Sequence, residues 1–240
     1  MPRLAFVLVL ALGQVLGAFP AAARPRPLAP LAVPVRILVA RCPDEAAPAS
    51  QPAPASQPAL VRPRAWVDEQ LRAAAEVLGP HGITLVPRVE EFQPARCALE
   101  GREQRDEVAR HVAVDDHATV LVVRRVPDLV VAGHDLGGVH WRAGASARAH
   151  AGRRYMLLAA KARRTVLAHE LCHYFGLPHD RRGGNLMTPG PSDPVWRRRG
   201  RKPKPHEPIL VPGQARLLRA GVAAFLRAHP PARPPRAQRR

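Results

Sequence analysis

Lysine is close to absent from this chain: of 37 basic residues only Lys161, Lys202 and Lys204 are lysines, against 19 acidic residues and a formal net charge of +18. With 28 prolines alongside, the skew toward arginine resembles a coding bias as much as a selected surface, so the charge by itself names no function. It predicts non-specific attraction to anionic surfaces and polymers in low salt, with no specific nucleic-acid site. Cysteine is confined to Cys42, Cys97 and Cys172. None of them follows the N-terminal apolar stretch closely enough for a lipid anchor. Beyond that stretch no run is long and apolar enough to cross a bilayer, so no transmembrane segment is expected after leader removal.

What is present begins with a leader pattern. Arg3 supplies a positive start, residues 4–19 an apolar stretch, and Ala21, Ala22 and Ala23 a small-residue cleavage site. Residues 1–23 are therefore expected to be a signal peptide and the protein to be secreted or periplasmic; an uncleaved anchor is the alternative, although Gln14 and two glycines interrupt the stretch. The 240 residues, 46% of them apolar, suit one domain with tails. The expected division is an N-terminal segment 24–33, a catalytic domain 34–229 and a basic Pro/Arg tail 230–240, and the protein is expected to be a monomer. Export would place Cys42 and Cys97 where they can pair, leaving Cys172 as a buried thiol.

Residues 35–40 read as a buried strand. The hexamer Ala-Pro-Ala-Ser-Gln-Pro then occurs twice, at 47–52 and 53–58, and marks a linker insertion over 46–62. Val67, Leu71, Ala74, Ala75 and Leu78 fall on one face of a helix that Gly79 and Pro80 close. Strands are expected at 83–89, 118–123 and 155–159, an edge strand at 139–142, and a short helix at 102–112. Residues 161–175 lack proline and glycine and are expected to be helical, with Gly176 as the stop. Residues 188–211 are irregular, and Pro212 opens a last helix with an apolar stripe of Leu218, Val222, Phe225 and Leu226.

The chemistry is concentrated at the end of the 161–175 helix. His169 and His173 stand four residues apart, so their rings leave the same side and can share a cation. Glu170 lies between them and cannot point the same way; it suits a general base acting on water that the metal activates. A third ligand would leave one tetrahedral position open, and His179 can supply it because Gly176 can turn the chain back in a left-handed conformation. A surface histidine cluster and a purely structural zinc are the plainer readings. The first ignores the placement on a helix expected on other grounds, and the second leaves Glu170 idle and asks for four protein ligands.

The run His169-Glu170-Leu171-Cys172-His173-Tyr174-Phe175-Gly176-Leu177-Pro178-His179-Asp180 resembles the long zinc motif of the metzincin metallopeptidases, and Asn185-Leu186-Met187 resembles their methionine turn at matrixin-like distance. The resemblance implies an α+β fold with an α/β-type mixed sheet: five mostly parallel strands, an antiparallel edge, an active-site helix and a C-terminal helix. It implies one catalytic Zn2+ held by His169, His173 and His179, Glu170 as base, and Met187 as a thioether floor beneath the metal. Asp180 stands where matrixins have serine and adamalysins aspartate, and Cys172 where glycine is common. No tyrosine follows Met187, so the tyrosine that assists the oxyanion in astacins has no counterpart there.

The expected activity is hydrolysis of a protein or peptide substrate, added as a strand against Val139, His140, Trp141 and Arg142. A second metal held by His134, Asp135, His140 and His150 is not expected, since solvated loop histidines account for them. Residues 41–44 faintly resemble a matrixin cysteine switch, but a switch there would consume the first strand. The competing function is a non-catalytic protein on the same scaffold, held to anionic surfaces by Arg197, Arg198, Arg199, Arg239 and Arg240; a merely solvated tail is the plainer reading of those arginines.

Overall fold

The computed structural model describes residues 28–43, 58–113, 117–181, 183–190 and 207–230. The expected signal peptide, nearly all of the repeated hexamers, Arg197 to Arg199 and the terminal arginines lie outside the described residues. The strands are β1 (Leu31–Cys42), β2 (Ala59–Leu60), β3 (Ile83–Phe92), β4 (Ala118–Val123), β5 (Gly138–Arg142) and β6 (Arg154–Ala159). The helices are α1 (Arg64–Leu78), α2 (Arg102–Glu107), α3 (Val166–Tyr174) and α4 (Pro212–Ala228).

A mixed, mostly parallel sheet runs in the order β3-β1-β4-β6-β5: the first four strands are parallel and β5 is antiparallel to β6. To this expected five-stranded arrangement the structure adds β2, which pairs antiparallel with the last two residues of β1. The inner strands are covered on both faces, which is why β4 is buried at every position and apolar at all but Thr119. Alternation along each strand builds two cores. Val33, Val35, Ile37, Val39, Val120, Val122, Met156 and Leu158 face α1, α3 and α4. Leu38, Ala40, Leu121, Val123, Tyr155 and Leu157 face α2 and the turns around it. Each fully buried Leu or Ile contributes roughly 1.5–3 kcal/mol, so these layers dominate the stability of the sheet that carries the site.

Several boundaries differ from the sequence expectation for identifiable reasons. β1 begins at Leu31, ahead of the expected domain start at 34, because its first residues pair with Ile83 and Thr84 of β3. The insertion re-enters the sheet at β2 instead of remaining a loop to 62. Helix α1 buries Val67, Ala74 and Leu78 of its expected face, with Leu71 packed beside them; Ala75 is exposed instead, and Gln70 is buried, its amide donating to the carbonyls of Ala162 (3.4 Å) and Arg163 (3.1 Å). Those carbonyls belong to the turn that leads out of β6. Hence α3 starts at Val166 and not at 161; freedom from proline and glycine permits a helix but does not require one. The expected helix at 102–112 is α-helical only to Glu107 and tightens to a 3-10 turn over Val108–His111. Arg153 donates there to the carbonyl of Val112.

Candidate metal centre

Helix α3 presents His169 and His173 one turn apart and then stops in a defined way. Gly176 has φ +96°; its N–H donates to the His173 carbonyl (2.9 Å), and the Leu177 N–H to the Cys172 carbonyl (2.9 Å). This paired closure is the Schellman arrangement, which needs a residue at ease in the left-handed region. A Cβ at Gly176 would meet nothing within 4 Å, so the demand for glycine here is conformational and not steric. The reversal returns His179 over the helix end.

One ring nitrogen each from His169, His173 and His179 lies within 4.8 Å of the others. His169 Nε2 is 3.0 Å from His173 Nε2 and 3.3 Å from His179 Nε2. On the other side of the rings, His169 Nδ1 sits 2.7 Å from the Leu186 carbonyl, and His173 Nδ1 2.7 Å from the Leu177 carbonyl. A carbonyl only accepts, so both Nδ1 atoms carry the proton and donate. In the neutral rings both Nε2 atoms then present bare lone pairs to one another. Burial, and next the neighbouring His179, push the His173 pKa down to about 4, which keeps that ring neutral. Converging lone pairs on neutral rings repel unless a cation lies between them, and nitrogen donors of this kind suit zinc. The donor set thus fits the metal the sequence implies.

Glu170 is 5% exposed and packs against β5, its Cγ close to Gly138, with the His140 backbone N–H directed at its carboxylate and favouring the charged form. Burial pushes its pKa up to about 8 against that hydrogen bond. The backbone pattern explains why His140 is available. Gly137 and Ala143 spend their backbone groups on the β6 side, so with a period of two the groups of Gly138, His140 and Arg142 face the outer edge. That edge has no strand partner among the described residues. The side chains alternate too: His140 stacks edge-on to Tyr174, 5.8 Å between ring centres, while Val139 and Trp141 pack into the core on the opposite face. Of the four residues named for the substrate strand, Val139 and Trp141 turn into the far core, while His140 and, by alternation, Arg142 are on the histidine side of the sheet.

Met187 is fully buried in the core beneath the helix, and the carbonyl just before it, on Leu186, is the one that holds His169. The turn carrying it is tied by side chains. Asn185 Oδ1 accepts from the Met187 N–H (2.9 Å), and Asn185 Nδ2 donates to Asp180 (3.2 Å). Gln214 of α4 closes the group: its Nε2 donates to Asp180 (3.1 Å) and to Asn185 Oδ1 (3.1 Å), and its Oε1 accepts from the Val211 N–H (3.1 Å) to cap α4. The sequence reading did not name Gln214. Its one signal was a capping pattern, glutamine three residues after Val211. Gly138 was also passed over. A Cβ there would lie 2.7 Å from Val166 Cγ1 and 2.9 Å from Glu170 Cγ, so its lack of a side chain lets β5 press against α3.

The remaining named residues lie elsewhere. Cys42 and Cys97 are joined by a disulfide, Cα atoms 6.0 Å apart, which leaves Cys42 no thiolate to offer a metal. Cys172 is a buried free thiol whose pKa burial pushes up. Asp135 bonds Arg125, which with Lys161 holds its carboxyl below the usual range. His150 lines a cavity of about 570 Å3 against α2, with Asp106, Ser146 and Arg148, on the sheet face away from the three histidines. Among the described residues, His134, Asp135, His140 and His150 do not gather into a metal-sized group.

No family model matches the chain, and no curated protein matches it. Among solved structures, it is similar to metalloproteinase-II from Bacteroides fragilis, with a TM-score of 0.49 and 12% identity, over 82% of this chain and 55% of that one.

Proposed function

We propose that the protein is an exported zinc-dependent endopeptidase in which His169, His173 and His179 hold the metal and Glu170 is the general base. The observation that carries this reading is the convergence of three imidazole nitrogens, two of them oriented by carbonyls on their far sides, next to a buried carboxylate that belongs to the same helix but not to the ligand set. When bound, zinc would acidify a water and polarise a peptide carbonyl.

The chain's own groups perform the rest. Glu170, oriented by the His140 N–H, takes a proton from the attacking water and gives it to the leaving amine. Glu170 must be the carboxylate for the first transfer, the form that a cation held by the three histidines would favour. The outer edge of β5 offers the backbone groups of Gly138 and Arg142 and the carbonyl of His140 to an extended peptide, a mode that asks little of substrate sequence. The His140 N–H is already given to Glu170, which couples the substrate strand to the base. Leu186 and Leu177 keep the histidines in the ligating tautomer through their carbonyls.

The test is cleavage of an unfolded protein by the purified chain, with metal analysis in parallel. One zinc per chain and loss of cleavage in Glu170→Ala with zinc retained are expected. Undiminished cleavage by that variant removes Glu170 from the role of base, and absence of both zinc and cleavage overturns the reading.

A further inference from the structure

Asp106 is a charged group for which the peptidase reading has no use, and it is almost fully buried. It lies in the last turn of α2 on the sheet face opposite the histidines, 4% exposed. Three donors converge on its carboxylate: Trp141 Nε1 of β5 at 2.8 Å, the Gly144 N–H at 3.0 Å, and the Ser146 hydroxyl. All three come from β5 or from the loop that follows it. Burial alone would raise this carboxyl's pKa; the hydrogen bonds from Ser146, Gly144 and Trp141 outweigh burial and hold it below the ordinary range. The neighbouring Arg105 is 1% exposed, and its guanidinium lies 5.0 Å from the Trp141 ring centre. It is anchored in turn, since its side chain donates to the Pro127 carbonyl and its own carbonyl accepts from Tyr155.

An edge strand is held by a neighbour on one side only, and β5 pairs only with β6 among the described residues. The residue after His140 is the one that Asp106 and Arg105 grip. Resting on the peptidase reading, we infer that Asp106 is a positioning residue: it clamps β5 from behind the sheet through Trp141, and thereby fixes the outward N–H of His140 that orients Glu170 and the edge on which a peptide substrate would lie. Trp141 is accordingly an anchor of that edge and not a surface for substrate side chains.

The charge is not what the clamp needs; the acceptors are. In Asp106→Asn the remaining oxygen can keep Trp141 and Gly144, while the Ser146 hydroxyl can rotate to accept from the amide. In Asp106→Ala all three donors lose their acceptor. The experiment measures hydrogen exchange of the amides in 138–146, zinc affinity, and kcat and KM on an unfolded-protein substrate, for wild type, Asp106→Asn, Asp106→Ala and Trp141→Phe. Exchange in Asp106→Ala should rise by about tenfold or more, with kcat/KM down by a similar factor and zinc affinity unchanged, and Asp106→Asn should restore both. Trp141→Phe, which removes one donor, should fall between and serves if Asp106→Ala does not fold. Unaltered exchange in Asp106→Ala, or in Trp141→Phe where that variant stands in, overturns the clamp; so does an Asn variant as impaired as the Ala variant. A wild type that cleaves nothing fails the peptidase reading, while exchange still decides the clamp.

Discussion

His169 Nε2 and His173 Nε2 face each other across 3.0 Å while the Nδ1 of each ring donates to a backbone carbonyl. A cation between the two rings would accept both Nε2 lone pairs at once. Zinc should therefore stabilise the folded chain, by about 2.7 kcal/mol at a concentration one hundred times its Kd. Thermal unfolding in zinc and in chelator should show a clear fall in Tm on metal removal, and His173→Ala should abolish the difference. Equal midpoints in the wild type would count against a metal site.

Helix α4 reaches the residue next to the third histidine. Gln214 joins Asp180, the neighbour of His179, to Asn185 of the methionine-bearing turn while capping its own helix. Gln214→Leu removes one acceptor and a two-armed donor and should cost roughly 2–4 kcal/mol in urea unfolding. It should also weaken zinc binding by about tenfold or more, as loss of an outer partner of a ligand typically does. Zinc affinity equal to wild type would show that His179 is held without it.

Two glycines of the site should fail differently when replaced by alanine. At Gly138 the new Cβ meets Val166 and Glu170 below 3.0 Å, so Gly138→Ala should push β5 from α3, cost about 1–3 kcal/mol, and reduce cleavage beyond what the stability loss explains. At Gly176 there is space but a φ of +96°, so Gly176→Ala should cost about 1–2 kcal/mol from backbone strain. Denaturant midpoints together with zinc titration separate the two: the first variant should bind zinc normally, and the second should bind it less tightly because the turn to His179 shifts.

The Asp106 carboxyl has a pKa below its ordinary 3.8 in the folded chain. The unfolded chain therefore takes up this proton first as pH falls, and the stabilisation from Asp106 is complete above about pH 5 and lost through pH 4 and below. Urea unfolding of wild type and Asp106→Asn between pH 6 and pH 3 should show a stability difference that moves against the wild type as the solution is acidified. A difference constant over that range would mean that the carboxylate is not specifically stabilised.

Much of the site was legible because its spacing is local. A spacing of four positions from His169 to His173 on a helix sets two rings on one side whatever the rest of the chain does, and Gly176 before His179 supplies the reversal. The central strands were legible for a related reason: burial on both faces demands the apolar run that 118–123 shows. The face of α1 was legible from Val67, Leu71, Ala74 and Leu78, but not the burial of Gln70, which rests on hydrogen bonds to carbonyls more than ninety positions away; hydrophobic periodicity carries no sign of such a partner. The start of α3 was misread for the same reason.

The sequence by itself determined the candidate ligands and their order: three imidazoles, a carboxylate between two of them, a left-handed turn and a buried methionine, each set by near-neighbour geometry. Only the tertiary structure decided which ring nitrogen is bare, through the carbonyls of Leu177 and Leu186. It also decided that Glu170 meets the His140 N–H, that Gln214 braces Asp180, and that Asp106 grips Trp141 from the far face of the sheet. These are contacts between segments distant in the chain, and their energy depends on directions that hydrogen bonds acquire only when the sheet and its helices have packed.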